Sequence, residues 1–397
     1  NMDMPFTSKA AVTGEFVTLM GERFYAIRNV DKMDPFFMSI VSDADHWLFI
    51  SSTGGLTAGR ISPETALFPY TTVDKIQEST PHTGSKTLMR VDQEEGFALW
   101  EPFNNNCHAR YRTSRHLYKN TLGNKLCFEE TNHDLCLTFR YTWMTSDRYG
   151  FIRYCELENH AGHPVNVEIL DGLQNILPAG TPRQLQADAS NLVDAYKWNE
   201  LDAHTGLAFF TLYSGITDRP QPCESLRANT VFSLGLENTC VLLSSNQLDN
   251  YLRGGRLQPE TLSRGIRGAY LINTVISLKP GEKKSWLFVA NIQQSQAEVI
   301  GLRNELLRAD DLTKQILESV EEGSDGLRRL IGSADGLQST AEEKVTVHHY
   351  ANVLFNSMRG GVFDEHDRSD RGYADTGPQR YPGGPPQSGD AGVGHEA

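Results

Sequence analysis

The sequence predicts a mainly β protein, a large antiparallel β-sandwich followed by helices. Three observations carry that reading. Short runs of alternating apolar and polar residues recur at a spacing of about 8 to 15 residues. Gly, Asn, Asp and Pro punctuate them, and helical spacing of apolar residues sets in only near Gln293. No strand-helix-strand rhythm calls for a parallel sheet.

The first strands are predicted in Glu15–Leu19, Phe24–Ile27, Phe36–Val41 and Trp47–Ile50, separated by Asp-rich turns. Further strands are expected at 87 to 91, 96 to 101, 106 to 116, 124 to 129 and 134 to 142. Phe151–Leu157 and Val165–Ile169 alternate on either side of the turn formers Asn159-His160-Ala161-Gly162, which predicts a hairpin. Candidates at 193 to 198, 205 to 213, 230 to 235, 239 to 243 and 284 to 291 complete the β-region. From Gln296 to Leu307 and on through Leu312 to Val320 the apolar residues take helical spacing. Gly323 to Gly336 reads as a linker or turn. Ala341 to Arg359 is the next helix, with an apolar stripe of Val345, Tyr350, Val353, Leu354 and Met358, closed by Gly360-Gly361. Beyond Phe363 the chain is Gly, Pro and charge with little to bury, so a disordered tail is expected.

The 397 residues are 39% apolar and 22% charged, ordinary globular values, and no apolar run approaches the length of a membrane span. Asn1-Met2-Asp3-Met4-Pro5 is not followed by a basic and then an apolar leader region, so no secretory signal is expected there. A net charge of −13 disfavours a nucleic-acid partner, which would need a basic face. Six cysteines, at 107, 127, 136, 155, 223 and 240, form no C-x-x-C pair and read as reduced structural thiols, which points to the cytoplasm.

The common catalytic motifs are missing: there is no G-x-G-x-x-G, no G-x-S-x-G and no H-E-x-x-H. Thr83-Gly84-Ser85-Lys86-Thr87 lacks the spacing of a phosphate loop. His348 and His349 are neighbours on a helix, about 100° apart, and cannot share a metal without other ligands, so no metal site is assigned. Asp364, Glu365 and Asp367 sit in the charged tail and read as solvated. The stretch Trp47 to Asp74 is different. A Trp-led strand runs through Gly54-Gly55 to Arg60, Phe68-Pro69-Tyr70 and Asp74, and aromatics beside charged groups are equipment for holding sugars. Arg60, Tyr70 and Asp74 are the candidate substrate-binding residues; the bland reading of the same stretch is a hairpin with an aromatic corner, pinned by an Arg60–Asp74 pair.

Trp47, Ser52, Gly54, Gly55, Arg60, Pro69, Tyr70 and Asp74 together resemble the amino-terminal part of the cellobiose phosphorylase-like enzymes of glycoside hydrolase family 94. Ile152-Arg153, Leu157-Glu158-Asn159 and Val167–Gly172 add to the resemblance, which covers most of residues 20 to 363. It implies a galactose-mutarotase-like β-super-sandwich over 1–292 and a helical linker over 293–336. The first helix of a catalytic (α/α)6 barrel, cut short, would occupy 337–363, ahead of the tail at 364–397. The activity it implies is inverting phosphorolysis of β-linked disaccharides or oligosaccharides, with inorganic phosphate as co-substrate in the full-length family and no other cofactor. No position matches the family's catalytic acid or phosphate-binding residues, so no catalytic residue is assigned and the chain is expected to be inactive alone. The alternatives are a carbohydrate-binding module, one of whose tryptophans (47, 100, 143, 198 and 286) is an exposed stacking platform, or a homodimer-forming module. A mutarotase-like epimerase would instead need His108, His116 or His133 to converge with Glu101 or Glu129.

Overall fold

The computed structural model describes residues 11–105, 110–213, 227–308, 310–335 and 337–358. The expected tail at 364–397 lies outside them. The chain divides into two compact units, Asn1–Arg329 and Leu330–Ala397.

The strands begin with β1 (Thr13–Leu19), β2 (Glu22–Arg28), β3 (Phe37–Ile40), β4 (His46–Ser51), β5 (Leu56–Arg60), β6 (Ala66–Phe68) and β7 (Gly84–Asp92). Next come β8 (Phe97–Trp100), β9 (Thr113–Asn120), β10 (Leu126–Asn132), β11 (Leu137–Ser146), β12 (Gly150–Asn159) and β13 (Val165–Ile176). The last are β14 (Lys197–Asp202), β15 (Leu207–Leu212), β16 (Arg227–Leu234), β17 (Cys240–Leu242), β18 (Leu262–Arg264), β19 (Gly268–Leu278) and β20 (Lys283–Ser295). Short helices α1 (Val73–Ser79), α2 (Arg183–Asp188), α3 (Ser190–Ala195) and α4 (Leu248–Leu252) interrupt them, and α5 (Gln296–Arg308), α6 (Leu312–Asp335) and α7 (Glu343–Met358) follow. The fold is mainly β with large antiparallel sheets, as the alternation predicts.

Among the described residues the strands form three sheets. One has eleven strands in the order β1-β2-β9-β10-β11-β12-β20-β16-β15-β14-β18. A second runs β17-β19-β13-β7-β8 and a third β3-β4-β5-β6. The two smaller sheets and the large one share one core. Successive residues of a strand point to opposite faces. In β12, Phe151, Cys155 and Leu157 therefore join that central core, while Ile152 joins a second cluster on the other face. In β20, Trp286, Phe288, Ala290 and Ile292 face the central core, and Leu287 and Val289 face the second cluster.

That second cluster is closed by helix. Leu312, Ile316 and Val320 of α6, one helical turn apart, pack on Met144, Ile152, Phe232, Leu287 and Val289, with Leu302 and Leu306 of α5 beside them. Helix α5 starts on a reciprocal capping box. The Ser295 N–H donates to Glu298 Oε2 at 2.7 Å, and the Glu298 N–H donates to Ser295 Oγ at 3.4 Å. Helix α6 runs unbroken through Gly323 and Gly326, where the composition predicts a linker. The reason is close approach: a Cβ at Gly326 would overlap the Asp43 carboxylate, and one at Gly323 would crowd it. Gly costs a helix about 1 kcal/mol relative to Ala. Burial of Leu327 one turn on and the bond from Asn124 Nδ2 to the fully buried Ser324 Oγ at 2.9 Å offset that cost. In the second unit, the end of α6 and α7 are helical; Leu354 of α7 is buried, whereas Val345 of the expected stripe is 53% exposed.

The expected hairpin between β12 and β13 does not form. β12 pairs with β11 and β20 in the large sheet, and β13 pairs with β7 and β19 in the five-stranded one. The turn at Asn159 carries the chain from one sheet to the other. Asn159 Nδ2 donates to the carbonyls of His163 (2.9 Å) and Leu278 (3.1 Å) while its Oδ1 accepts the Ala161 N–H at 2.8 Å. Arg153 and Asp171 consequently face each other across the core at 2.9 Å, both with 0% side-chain exposure. Asp171 also accepts the Thr87 hydroxyl and the Trp286 indole N–H, each at 2.7 Å. Strands β5, β6, β18 and β19 are not among the sequence candidates. The first half of β19 is buried on both faces, which erases the alternation that marks a strand. The candidate strand at 193 to 198 divides into the end of α3 and the start of β14.

Removing one member of a buried pair strands the other charge, at a cost of about 3–5 kcal/mol. Asp171→Ala is therefore expected to lower the urea midpoint of unfolding by that equivalent. The double variant Arg153→Met/Asp171→Leu should recover part of the loss, since no uncompensated charge remains.

Candidate functional site

A cavity of about 680 Å³ opens where the large sheet meets the ends of the two smaller ones. Its floor is aromatic. Phe128 of β10 and Tyr141 of β11 are cross-strand partners and stack with ring centroids 4.9 Å apart at 14°. Phe103 stands edge-on to Tyr141 at 5.3 Å. The loop after β8 holds Phe103 in place: its backbone is left-handed at φ 66°, and its N–H donates to Glu130 Oε2 at 2.7 Å. The other Glu130 oxygen accepts the indole N–H of fully buried Trp100 at 2.8 Å, which fixes the strand leading into the loop.

The walls are polar. Lys86 of β7 pairs with Glu101 at 2.5 Å, and Asn104 Nδ2 donates to the other Glu101 oxygen at 2.6 Å. Arg115 of β9 donates to Glu130 at 2.6 Å, to Asn105 Oδ1 at 2.7 Å and to the Asn104 carbonyl at 3.0 Å. His116 accepts the Asn29 N–H on Nδ1 at 3.1 Å, which leaves its ring proton on Nε2. Burial pushes the His116 imidazolium down from its ordinary range, and burial likewise pushes the Tyr141 phenol up. An apolar ring floor beneath amide, hydroxyl and paired charged groups suits a polyhydroxylated ring: the floor takes an apolar face, and the rim exchanges hydrogen bonds with hydroxyls.

Of the three sequence candidates, Arg60 and Tyr70 do not line this cavity. Arg60, at the end of β5, donates to Asp45 Oδ1 at 2.5 Å, to the Asp147 carboxylate at 2.8 Å and to the Asp147 carbonyl at 2.9 Å. It lines a second cavity, of about 580 Å³, beside Arg148, Arg227, Asn291 and Glu305. Tyr70 is 38% exposed on the outer side of the four-stranded sheet, edge-on to Trp47 at 5.6 Å and with the Arg183 guanidinium 5.2 Å over its ring. Arg60 and Tyr70 share no partner among these contacts. Asp74 lies in the first turn of α1, and its side chain falls outside the described residues. Among the described residues, the side-chain partners of Arg60 are Asp45, Asp147 and, at 3.3 Å, Asn291 Oδ1.

Of the five tryptophans, 100, 143 and 286 are fully buried. Trp198 is stacked between Tyr213, at 5.3 Å and 13°, and the Arg264 guanidinium 3.7 Å over its ring. Among the histidines, His133 bonds Ser114 at an exposed site and His108 lies outside the described residues. Glu129 is taken by Tyr118 and Arg140. His116 and Glu101 do line the one cavity. Phe103, Asn104, Asn105, Arg115 and Tyr141 were not singled out in the sequence. A signal for some of them existed in Pro102-Phe103-Asn104-Asn105, a polar loop directly after a strand ending in a buried Trp. Thr83–Thr87, rejected as a phosphate loop, supplies Ser85, Lys86 and Thr87 to the wall as part of a strand. The four described cysteines, 127, 136, 155 and 240, are unpaired, and burial pushes the Cys127 thiol up to about 12.

No protein-family model and no curated protein matches the sequence. Solved structures do show similarity at low scores. A bacterial glucoamylase in complex with acarbose is 9% identical with a TM-score of 0.45, over 75% of this chain and 37% of its own. A candidate kojibiose phosphorylase from the human microbiome is 9% identical at 0.30, over 84% and 32%. A candidate aldose 1-epimerase from Escherichia coli K12 is 10% identical at 0.30, over 66% and 99%. The chain thus spans about a third of the length of the first two. No residue role passes from them to this chain. Among the described residues no helix is long and apolar enough to cross a membrane.

His46, paired across the strands with Arg60, is pushed down to about 3 from 6.5 by burial and by the Arg60 charge. The folded chain keeps it neutral while the unfolded chain takes up a proton near pH 6.5. Stability is therefore lost as pH falls from about 6.5 toward 3, by about 1.4 kcal/mol per pH unit. His116 acts in the same direction. Urea unfolding at pH 7.5 and 5.0 should show a smaller acid loss for His46→Gln than for the parent, by about 2 kcal/mol.

Proposed function

We propose that this chain is the carbohydrate-binding β-domain portion of a glycoside phosphorylase-like protein, with the aromatic-floored cavity as its glycan site. The observation that carries the reading is the Phe103, Phe128 and Tyr141 floor beneath the Lys86, Glu101, Asn104 and Arg115 rim. The ligand class is a β-linked disaccharide or oligosaccharide. Phosphorolysis with inorganic phosphate belongs to the full-length enzyme, and no residue of this chain is assigned to it. Both Glu101 oxygens are already acceptors, for Lys86 and Asn104, which leaves neither free to deliver a proton to a glycosidic oxygen. The reading includes a homodimer and a cytoplasmic setting, the latter in keeping with the unpaired cysteines.

One observation favours a second reading, a mutarotase-like sugar epimerase: His116 and Glu101 line the same cavity. Polarimetry separates the two, since the epimerase would speed the interconversion of sugar anomers and the binding domain would not.

Calorimetric titration with a panel of β-linked glucobioses is expected to give a dissociation constant of about 1 mM or tighter for at least one of them. Tyr141→Phe, which removes a hydroxyl from the floor, should weaken that binding by about 2- to 10-fold. Incubation with the same sugars and phosphate should release no sugar 1-phosphate. Turnover by the purified chain, or no binding across the panel, would overturn the reading.

A further inference from the structure

The charge inventory of the cavity narrows the ligand further, on the strength of the glycan-site reading above. Among the described residues, its lining carries five titratable side chains that could attract or repel an ion: Asp31, Lys86, Glu101, Arg115 and His116. Each cation already has its anion. Lys86 is matched by Glu101 at 2.5 Å, with both side chains about one-fifth exposed. Arg115 is matched by the fully buried Glu130 at 2.6 Å, and one N–H from each of its terminal nitrogens goes to Asn105 and Asn104. His116 accepts a backbone N–H on Nδ1, which an imidazolium cannot do. Asp31 is held by Lys32 at 2.8 Å through one oxygen, while its other oxygen has no hydrogen-bond partner.

A carboxylate or phosphate entering this cavity would give up its hydration and find no free cation among the described residues. Burying an unpaired charge costs several kcal/mol, whereas neutral hydroxyls lose little when amide and hydroxyl partners replace water. To gain a counter-charge, an anionic ligand would have to pull Lys86 from Glu101, and the displaced Glu101 would then repel it.

We infer that the cavity selects uncharged glycans and rejects carboxylated or phosphorylated ones, and that the Lys86–Glu101 pair sets this preference. The pair is a specificity device of the repulsive kind, since Glu101 cancels the Lys86 charge at the rim, as Glu130 cancels that of Arg115.

The test compares the best-binding neutral glucobiose with its aldonic acid, which keeps the non-reducing ring and adds a carboxylate. Titration of the full chain at low ionic strength is expected to show the neutral sugar binding about tenfold or more tightly. Glu101→Gln leaves the Lys86 ammonium unmatched and should raise the affinity for the aldonic acid relative to that for the neutral sugar by about tenfold. Should Glu101→Gln fail to fold, Lys86→Gln serves instead, because it leaves Glu101 uncancelled and should weaken the aldonic acid further. Equal binding of the two sugars by the parent chain overturns this inference and leaves the glycan site standing. Absence of binding by every neutral glucobiose overturns the glycan site itself, and the inference with it. An unchanged ratio of aldonic-acid to neutral-sugar affinity in the folded variants overturns the role of the pair.

Discussion

Arg153 and Asp171 meet at 2.9 Å in the centre of the sandwich, on strands of two different sheets, with neither side chain exposed to solvent. A charge pair there is tolerable only if its remaining donors and acceptors are served, because desolvation otherwise outweighs attraction. Most of them are. Asp171 accepts Thr87 and Trp286 as well as Arg153, and a second Arg153 nitrogen donates to Thr87 at 3.0 Å. The guanidinium lies 4.7 Å from the Tyr141 ring and 5.6 Å from that of Phe288. β7, β12, β13 and β20 are thereby locked in one relative position. The constraint reaches the cavity, since Tyr141 presents one face to Arg153 and is itself part of the cavity floor.

The large sheet is covered twice where the helices lie on it, and this explains why β20 is apolar on both faces. β20 buries Leu287 and Val289, and β12 buries Ile152, beneath α5 and α6, while their alternate residues enter the sandwich. A strand buried on both faces contributes on the order of 1.5–3 kcal/mol per large side chain from each side. The helices are therefore part of the β-domain's stability rather than an appendix to it. The glycines of α6 serve the same end, letting the helix backbone settle against the loop that holds Asp43.

The cavity is built differently from the core. The Phe128 and Tyr141 rings are fixed by packing in strands, but the polar groups come from the 3-10 turn Val30–Lys32, the loop after β8 and strands β7 and β9, which turn side chains toward a common space. Its charges are paired off locally, so it offers hydrogen bonds without offering a field. In the second cavity Arg60 is paired with Asp45 and Asp147, and Arg148 with Glu305.

Alternation in the sequence determined that this is a β protein, where many of the strands run, and that helices take over near residue 296, because burial of one face writes a period of two and burial of one stripe a period of 3.6 directly into the chain. It also marked Arg60, Tyr70, Glu101 and His116 as residues with chemistry to offer. Only the tertiary structure decided which strands are neighbours and which are opposite. A period of two says that Arg153 and Asp171 both point inward, yet it is the same whether β12 and β13 lie side by side or face to face. It also gives no sign of β19, whose first half is buried on both sides, nor of a helix continuing through Gly323 and Gly326, where the compensating contact with Asp43 lies some 280 residues away in the chain. The cavity was invisible for the same reason: Lys86, Glu101, Arg115 and Tyr141 belong to four different segments, and their pairing is a property of distances that no local pattern encodes.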